Sequence, residues 1–444
     1  MLVHRRVRST VSATILCSLL VISALPSEGA DAIEKGSPKT DLPAARDLIL
    51  APHAGAEAID EQIRKAQNRV RTQPANGGRL LELGRLFISK ARLTDDPGFY
   101  RLAEQCAAAI GTTDPTYADS LLLRGHCLAA MHRFAAAEGL GLKLAAMREH
   151  FLDFGLLGDA LMEQGKLAAA IDAYQRMADL KPSMPVYARV AHIRWLKGDL
   201  AGAIEAAEEA IESSHPKDAE SLAWATNRLA RYRWQEGKEA DALALVARAL
   251  ELVPNYGPAL LNRGLIHLGR AEFAEAITSL RAASKRHPLP EYHWALIEAL
   301  RAAGEATEAQ DVLHLLEAKG EIEDPRSYAL YAASAGTNAK RALELAEMEL
   351  GTRQDVFTYD AFAWALRAHG KIAEAAENME LALREGTVDA RLLLHAGVIF
   401  LEAGKPEKAA PHLATANSLR RMLHPSEQRL LTEKQAALGT SFTP

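Results

Sequence analysis

Aromatic residues are scarce in this sequence: phenylalanine, tyrosine and tryptophan supply 6% of its 444 residues, while hydrophobic residues as a whole supply 48%. The apolar content is therefore largely Ala and Leu, which lose little side-chain entropy in a helix. Runs of β-branched residues at strand spacing are rare, so an all-α chain is expected. Cysteine is rarer still, at three residues. Cys106 and Cys127 could pair in an oxidising compartment, but neither sits in a C-x-x-C motif. They read as small buried apolar residues.

Positive charge is not in surplus: 52 Lys and Arg face 57 Asp and Glu, a net charge of −5. A mildly acidic chain lacks the basic surface that displaces counterions, which argues against general nucleic-acid binding. Motifs of catalysis are also missing. There is no G-x-S-x-G, phosphate loop or dinucleotide fingerprint. The glycines of GLGLKLA (139–145) fall inside a helical segment with no strand before it. Glu208, Glu209, Glu374 and Glu377 read as solvated outer faces. Fifteen histidines invite a metal, yet His126, Cys127 and His132 do not share a helical face, and His287 and His293 flank prolines. No enzyme activity, metal or cofactor is expected.

One apolar run stands out. VSATILCSLLVISAL (11–25) follows Arg5, Arg6 and Arg8 and precedes Ala30-Asp31-Ala32. These are the basic, apolar and small-residue parts of a cleaved signal peptide over 1–32, and fifteen apolar residues are few for a membrane span. Its removal leaves 49 basic and 55 acidic residues. Secretion, into the periplasm, is expected, with no membrane insertion afterwards. Residues 33–56 hold Pro38, Pro43 and Pro52 and read as a flexible lead-in. A capping helix is expected over 57–74, with Ile59, Ile63, Ala66 and Val70 on one face, and a closing helix and tail over 424–444, capped by Ser426.

Between them the chain repeats itself. A small residue in a first helix is followed by Ala in a second: Gly84 with Ala103, Gly125 with Ala137, Gly158 with Ala170, Ala191 with Ala203, Ala230 with Ala242, Gly264 with Ala276, Ala363 with Ala375, and Gly397 with Ala409. Two helices joined by a tight turn can approach closely only where such residues face each other. Gly165, Gly198, Gly237, Gly304, Gly370 and Gly404 fall where first helices end, as left-handed C-caps. Prolines 115, 182, 254 and 288 follow second helices, with Pro216 one residue late. Ten units are counted over 77–423, starting near 77, 118, 151, 184, 223, 257, 290, 325, 356 and 390. The units near 290 and 325 are degenerate, with Ile297 at a small-residue position.

The segment LLGDALMEQGKLAAAIDAYQRMADLKP (156–182) resembles a tetratricopeptide repeat, and the frame recurs along nearly the whole chain after the lead-in. The resemblance, to secreted bacterial members of that family, implies a right-handed α-solenoid. It also implies ligand binding in a concave groove lined by first helices. The positions that face the groove in the family fall here on His126, His192, Trp195, Trp224, Asn227, Arg231, Trp234, Trp294 and Trp364. AHIRWLKG (191–198) and ARYRWQEG (230–237) add Arg194 and Arg233, because no other unit has Arg-Trp there. Trp and Arg concentrate binding energy at interfaces. The expectation is a non-catalytic scaffold that holds a protein or peptide segment in its groove. The alternative is a small-molecule or metal carrier with a His- and Trp-lined pocket, and a third reading is an enzyme whose residues meet only in space.

Overall fold

The computed structural model describes residues 42–94, 96–215, 218–286 and 288–439. The expected signal segment, together with Pro216 and His287, lies outside the described residues. Among those described there are twenty-three α-helices and no strand. Ten helix pairs have as their first helices Gly77–Thr94, Tyr117–Ala130, Phe151–Glu163, Met184–Leu196, Ala219–Gln235, Gly257–Gly269, Pro290–Ala303, Pro325–Ala335, Val356–Ala368 and Ala390–Glu402. Each is followed by an antiparallel partner, and each pair stacks on the next, so the fold is an all-α solenoid. No helix among the described residues is long and apolar enough to cross a membrane.

The small residues set the spacing within and between pairs. Ala137, Ala170, Ala203, Ala242, Ala276, Ala375 and Ala409 are fully buried. A Cβ on Gly158 would stand 2.3 Å from the Tyr174 ring, one on Gly264 2.4 Å from Leu280, and one on Gly397 2.4 Å from Leu413. Each of those partners lies one helical turn beyond the paired Ala. The six turn glycines all have positive φ, between 71° and 87°. His132 (φ 57°) and Ala271 (φ 59°) occupy the same place in units two and six. In the degenerate seventh unit Ile297 is fully buried. Cys106 and Cys127 are buried free thiols, and burial pushes the Cys127 thiol up to about 12.

The array curls until its later coil touches its earlier one. The turn of unit three meets the loop between units eight and nine: Gln354 N–H donates to the Glu163 carbonyl at 3.1 Å, and Arg353 pairs with the Glu163 carboxylate. The turn of unit four meets the next loop, where Thr387 Oγ1 donates to the Leu196 carbonyl at 2.6 Å and Lys197 pairs with Glu385 at 2.5 Å. Gln235 of unit five donates to the Val388 carbonyl at 2.7 Å, and Glu239 pairs with Arg421 at 2.9 Å.

At the ends, two sequence expectations change. Part of the expected flexible lead-in is a helix, Leu42–Ile49, whose Ile49 is fully buried. Gln67 Nε2 donates to the carbonyls of Ile49 and Ala51, both at 2.9 Å, because carbonyls at and just past a helix end need donors. The closing helix is Pro425–Ala437, and its cap is His424, not Ser426. Ser426 instead gives its N–H and hydroxyl to the Glu298 carboxylate at 3.0 and 2.7 Å.

Beside that cap Arg391 pairs with Glu427 at 2.5 Å and stacks on Trp294 at 4.5 Å. Burial alone would raise the Glu427 pKa, but Arg391 and His424 overcome it and hold it at about 2. A depressed carboxylate stabilises the fold above its unfolded value of about 4.5 and loses that contribution as pH falls towards 2. Melting temperature should therefore fall between pH 4.5 and 2 in the native chain. In Glu427→Gln the chain should start less stable at pH 7 and show a shallower decline over that window. Parallel melting curves for the two proteins would dismiss this ion pair as a source of acid lability.

Candidate binding groove

Four of the five tryptophans expected to line the groove lie in the core, between 2% and 6% exposed. Trp195 stacks on Phe357 at 5.8 Å and on Tyr232 at 6.3 Å, and its Nε1–H donates to Gln235 Oε1 at 2.7 Å. Trp234 packs in one apolar cluster with Val246, Ala249 and Ile266. Trp294 meets Tyr331 and His424 edge to face. Trp364 stacks on His395 at 3.9 Å, with Arg367 over its ring at 4.4 Å. These side chains hold the array together and are not open to a partner.

The two Arg-Trp echoes divide in the same way. Arg194 turns to the second helix of its own unit, reaching Glu205 and the Gly202 carbonyl, both at 3.2 Å. Arg233 pairs with Glu208 of the preceding unit and with Glu236 at 2.8 Å. Asn227 is buried and accepts from Asn262 Nδ2 at 2.9 Å, while Arg231 reaches Asp389 at 3.8 Å. His126 is half-buried, and burial lowers its pKa to about 4. Among the described residues no group of three or more His, Cys, Asp or Glu side chains could hold a metal ion.

Trp224 is the exception, at 38% exposure. It opens onto a groove of about 680 Å³ between the end of the Gly77–Thr94 helix and units five and six. Ile59, Leu93, Tyr256 and Tyr292 give that groove an apolar lining, with Arg92, Arg286 and Glu220 at its polar positions. Tyr256 is partly buried, which pushes its hydroxyl up to about 12, so it faces a ligand as a neutral donor. The array is thus shut on its C-terminal side, where the coils meet, and open on its N-terminal side.

Sequence reasoning missed Arg228, whose guanidinium lies over Trp224 at 5.4 Å. Its signal was present: Arg228 follows Arg189 by the thirty-nine residues that separate the two Arg-Trp echoes. Arg228 also lines a second, smaller pocket of about 290 Å³, formed where unit four faces the returning unit nine.

A sequence profile of the tetratricopeptide repeat matches residues 154–185, 261–318 and 361–417. Solved structures are similar at low sequence identity. A tetratricopeptide repeat protein from Parabacteroides merdae is 18% identical, covers 59% of this chain and all of its own, and superposes with a TM-score of 0.33. Yeast Tom70 is 14% identical over 85% of this chain and 95% of its own, with a TM-score of 0.37. A monomeric mutant of IFIT1 with Gppp-AAAA is 13% identical over 88% of this chain and 97% of its own, with a TM-score of 0.46. No curated protein matches in sequence. Helix pairs closed by small residues and stacked end to end define an α-solenoid. Over those three stretches the repeats of this chain are of the tetratricopeptide type.

Proposed function

We propose that the chain is a non-catalytic scaffold that acts in the periplasm and seats an extended segment of a partner protein in the groove beside Trp224. The observation that carries this reading is the single exposed tryptophan at the mouth of a 680 Å³ groove. Exposing indole is costly unless a partner covers it, and Trp is enriched where interface energy concentrates. The arginines at the rim favour a segment that carries carboxylates. The solenoid holds these groups in place before binding, so little order is lost on association. The run at 11–25 and the Ala30-Asp31-Ala32 site support export.

Trp224→Ala is expected to weaken capture of the partner by at least tenfold, and to change stability by less than about 1 kcal/mol, because the side chain is half exposed. The measurement compares native chain and variant as bait for cross-linking in the exported fraction, with denaturation midpoints as control. Undiminished capture by the variant would remove the groove from the mechanism.

A further inference from the structure

We propose that the 290 Å³ pocket between Arg228 and His192 binds a small organic monocarboxylate. The case rests on the repeat itself. In units three and four, Asp159 directly follows the small residue Gly158, and Arg189 precedes the small residue Ala191 by two. These two side chains meet in a bidentate pair, Arg189 Nε to Asp159 Oδ1 at 2.8 Å and Nη2 to Oδ2 at 2.5 Å. One unit later the same two positions are His192 and Arg228. The guanidinium recurs and the carboxylate does not. Among the described residues Arg228 makes no ion pair and no hydrogen bond, and its guanidinium lies over the face of Trp224.

The opposite wall does not supply the missing charge. Four arginines line the pocket, at 228, 326, 353 and 384, against three carboxylates, Glu163, Asp355 and Glu385. Those three are already engaged: Arg353 pairs with Glu163, Arg326 and Arg353 with Asp355 at 3.3 Å, and Arg384 with Glu385 at 3.3 Å. Lys197 also pairs with Glu385, at 2.5 Å, so Arg228 is the lining arginine left without a carboxylate partner, and its complement is a carboxylate. His192 adds a second polar group, for its Nδ1 is buried without a hydrogen-bond partner among the described residues. Burial keeps that imidazole neutral, with a pKa near 3, so it offers an oxygen one N–H and no charge. Phe357, Leu196 and Met162 complete an apolar wall. The space is compact, at about 290 Å³. An Arg fork and a neutral donor against an apolar wall recognise a carboxylate on a compact apolar body.

Benzoate is the probe, with benzamide as its neutral isostere and inorganic phosphate as the small dianion. Titration calorimetry and melting curves on the full chain should show benzoate binding with a rise in melting temperature, and no effect of the other two. Arg228→Gln should weaken benzoate binding at least tenfold. His192→Asp restores the carboxylate that Asp159 supplies one unit earlier, so it should raise the melting temperature and abolish benzoate binding. That second variant decides the matter even if Arg228→Gln fails to fold. No benzoate binding by the native chain, equal binding of benzamide, binding of phosphate alone, or full affinity in His192→Asp each overturns the assignment.

Discussion

Gly198→Ala is expected to lose about 3 kcal/mol of stability, and Gly370→Ala only about 1. Both glycines end a first helix with positive φ, 77° and 84°. An alanine there pays for a left-handed backbone by roughly 1–2 kcal/mol. The two sites differ in what lies outside the turn. A Cβ on Gly370 meets nothing within 4 Å, whereas one on Gly198 would stand 2.6 Å from the carbonyl oxygen of Gly386. That neighbour is backbone and cannot swing aside, so the loop must retreat, adding an overpacking cost of about 1–3 kcal/mol. Its retreat strains the Thr387 bond to the Leu196 carbonyl and the Lys197–Glu385 pair. Denaturant midpoints measure the difference, and amide exchange at residues 385–389 localises it. Equal losses in the two variants would mean that contact between the coils contributes nothing to stability.

Trp195→Ala is the second large effect, at about 4 kcal/mol, within the range for truncating a buried aromatic. Only 6% of Trp195 is exposed, and it stands where unit four meets unit nine through Phe357. Its loss also strands Gln235 Oε1, while the Gln235 amide still holds the Val388 carbonyl. Trp195→Phe keeps an aromatic face and loses the hydrogen bond, which should cost nearer 1–2 kcal/mol. The contrast with Trp224→Ala is the useful one, because both residues occupy first helices and both were expected to face a ligand. Chemical denaturation of the three variants side by side should rank them Trp195→Ala, Trp195→Phe, Trp224→Ala in order of damage. If Trp195→Ala were as stable as Trp224→Ala, the assignment of Trp195 to the core would be wrong.

The helix pairs were legible because their contacts are local. Gly158 approaches Tyr174 sixteen residues on, and that spacing returns for Gly264 with Leu280 and Gly397 with Leu413. The fate of the tryptophans was not legible, for their covers come from far along the chain. Phe357 closes over Trp195, and the Gln235 bond to Val388 spans 153 residues. The repeat frame says which way a side chain points from its own helix, but not whether another coil will arrive there. The His424 cap was misread for a related reason: Glu298, 128 residues away, claims the hydroxyl of Ser426. Arg228 could have been found, since the absence of a carboxylate at 192 is visible once Asp159 and Arg189 are aligned with it.

The contact between coils also makes the protein count. An open solenoid is close to one-dimensional, so a unit gained or lost changes its length and little else. Here the turns of units three and four meet the loops that open units nine and ten, in order. Deleting one unit from the intervening stretch would bring Gly198 and Gln235 opposite loops built for other neighbours. The number of units between Gly198 and Gly386 is therefore fixed by geometry, as the number of blades is fixed in a closed ring.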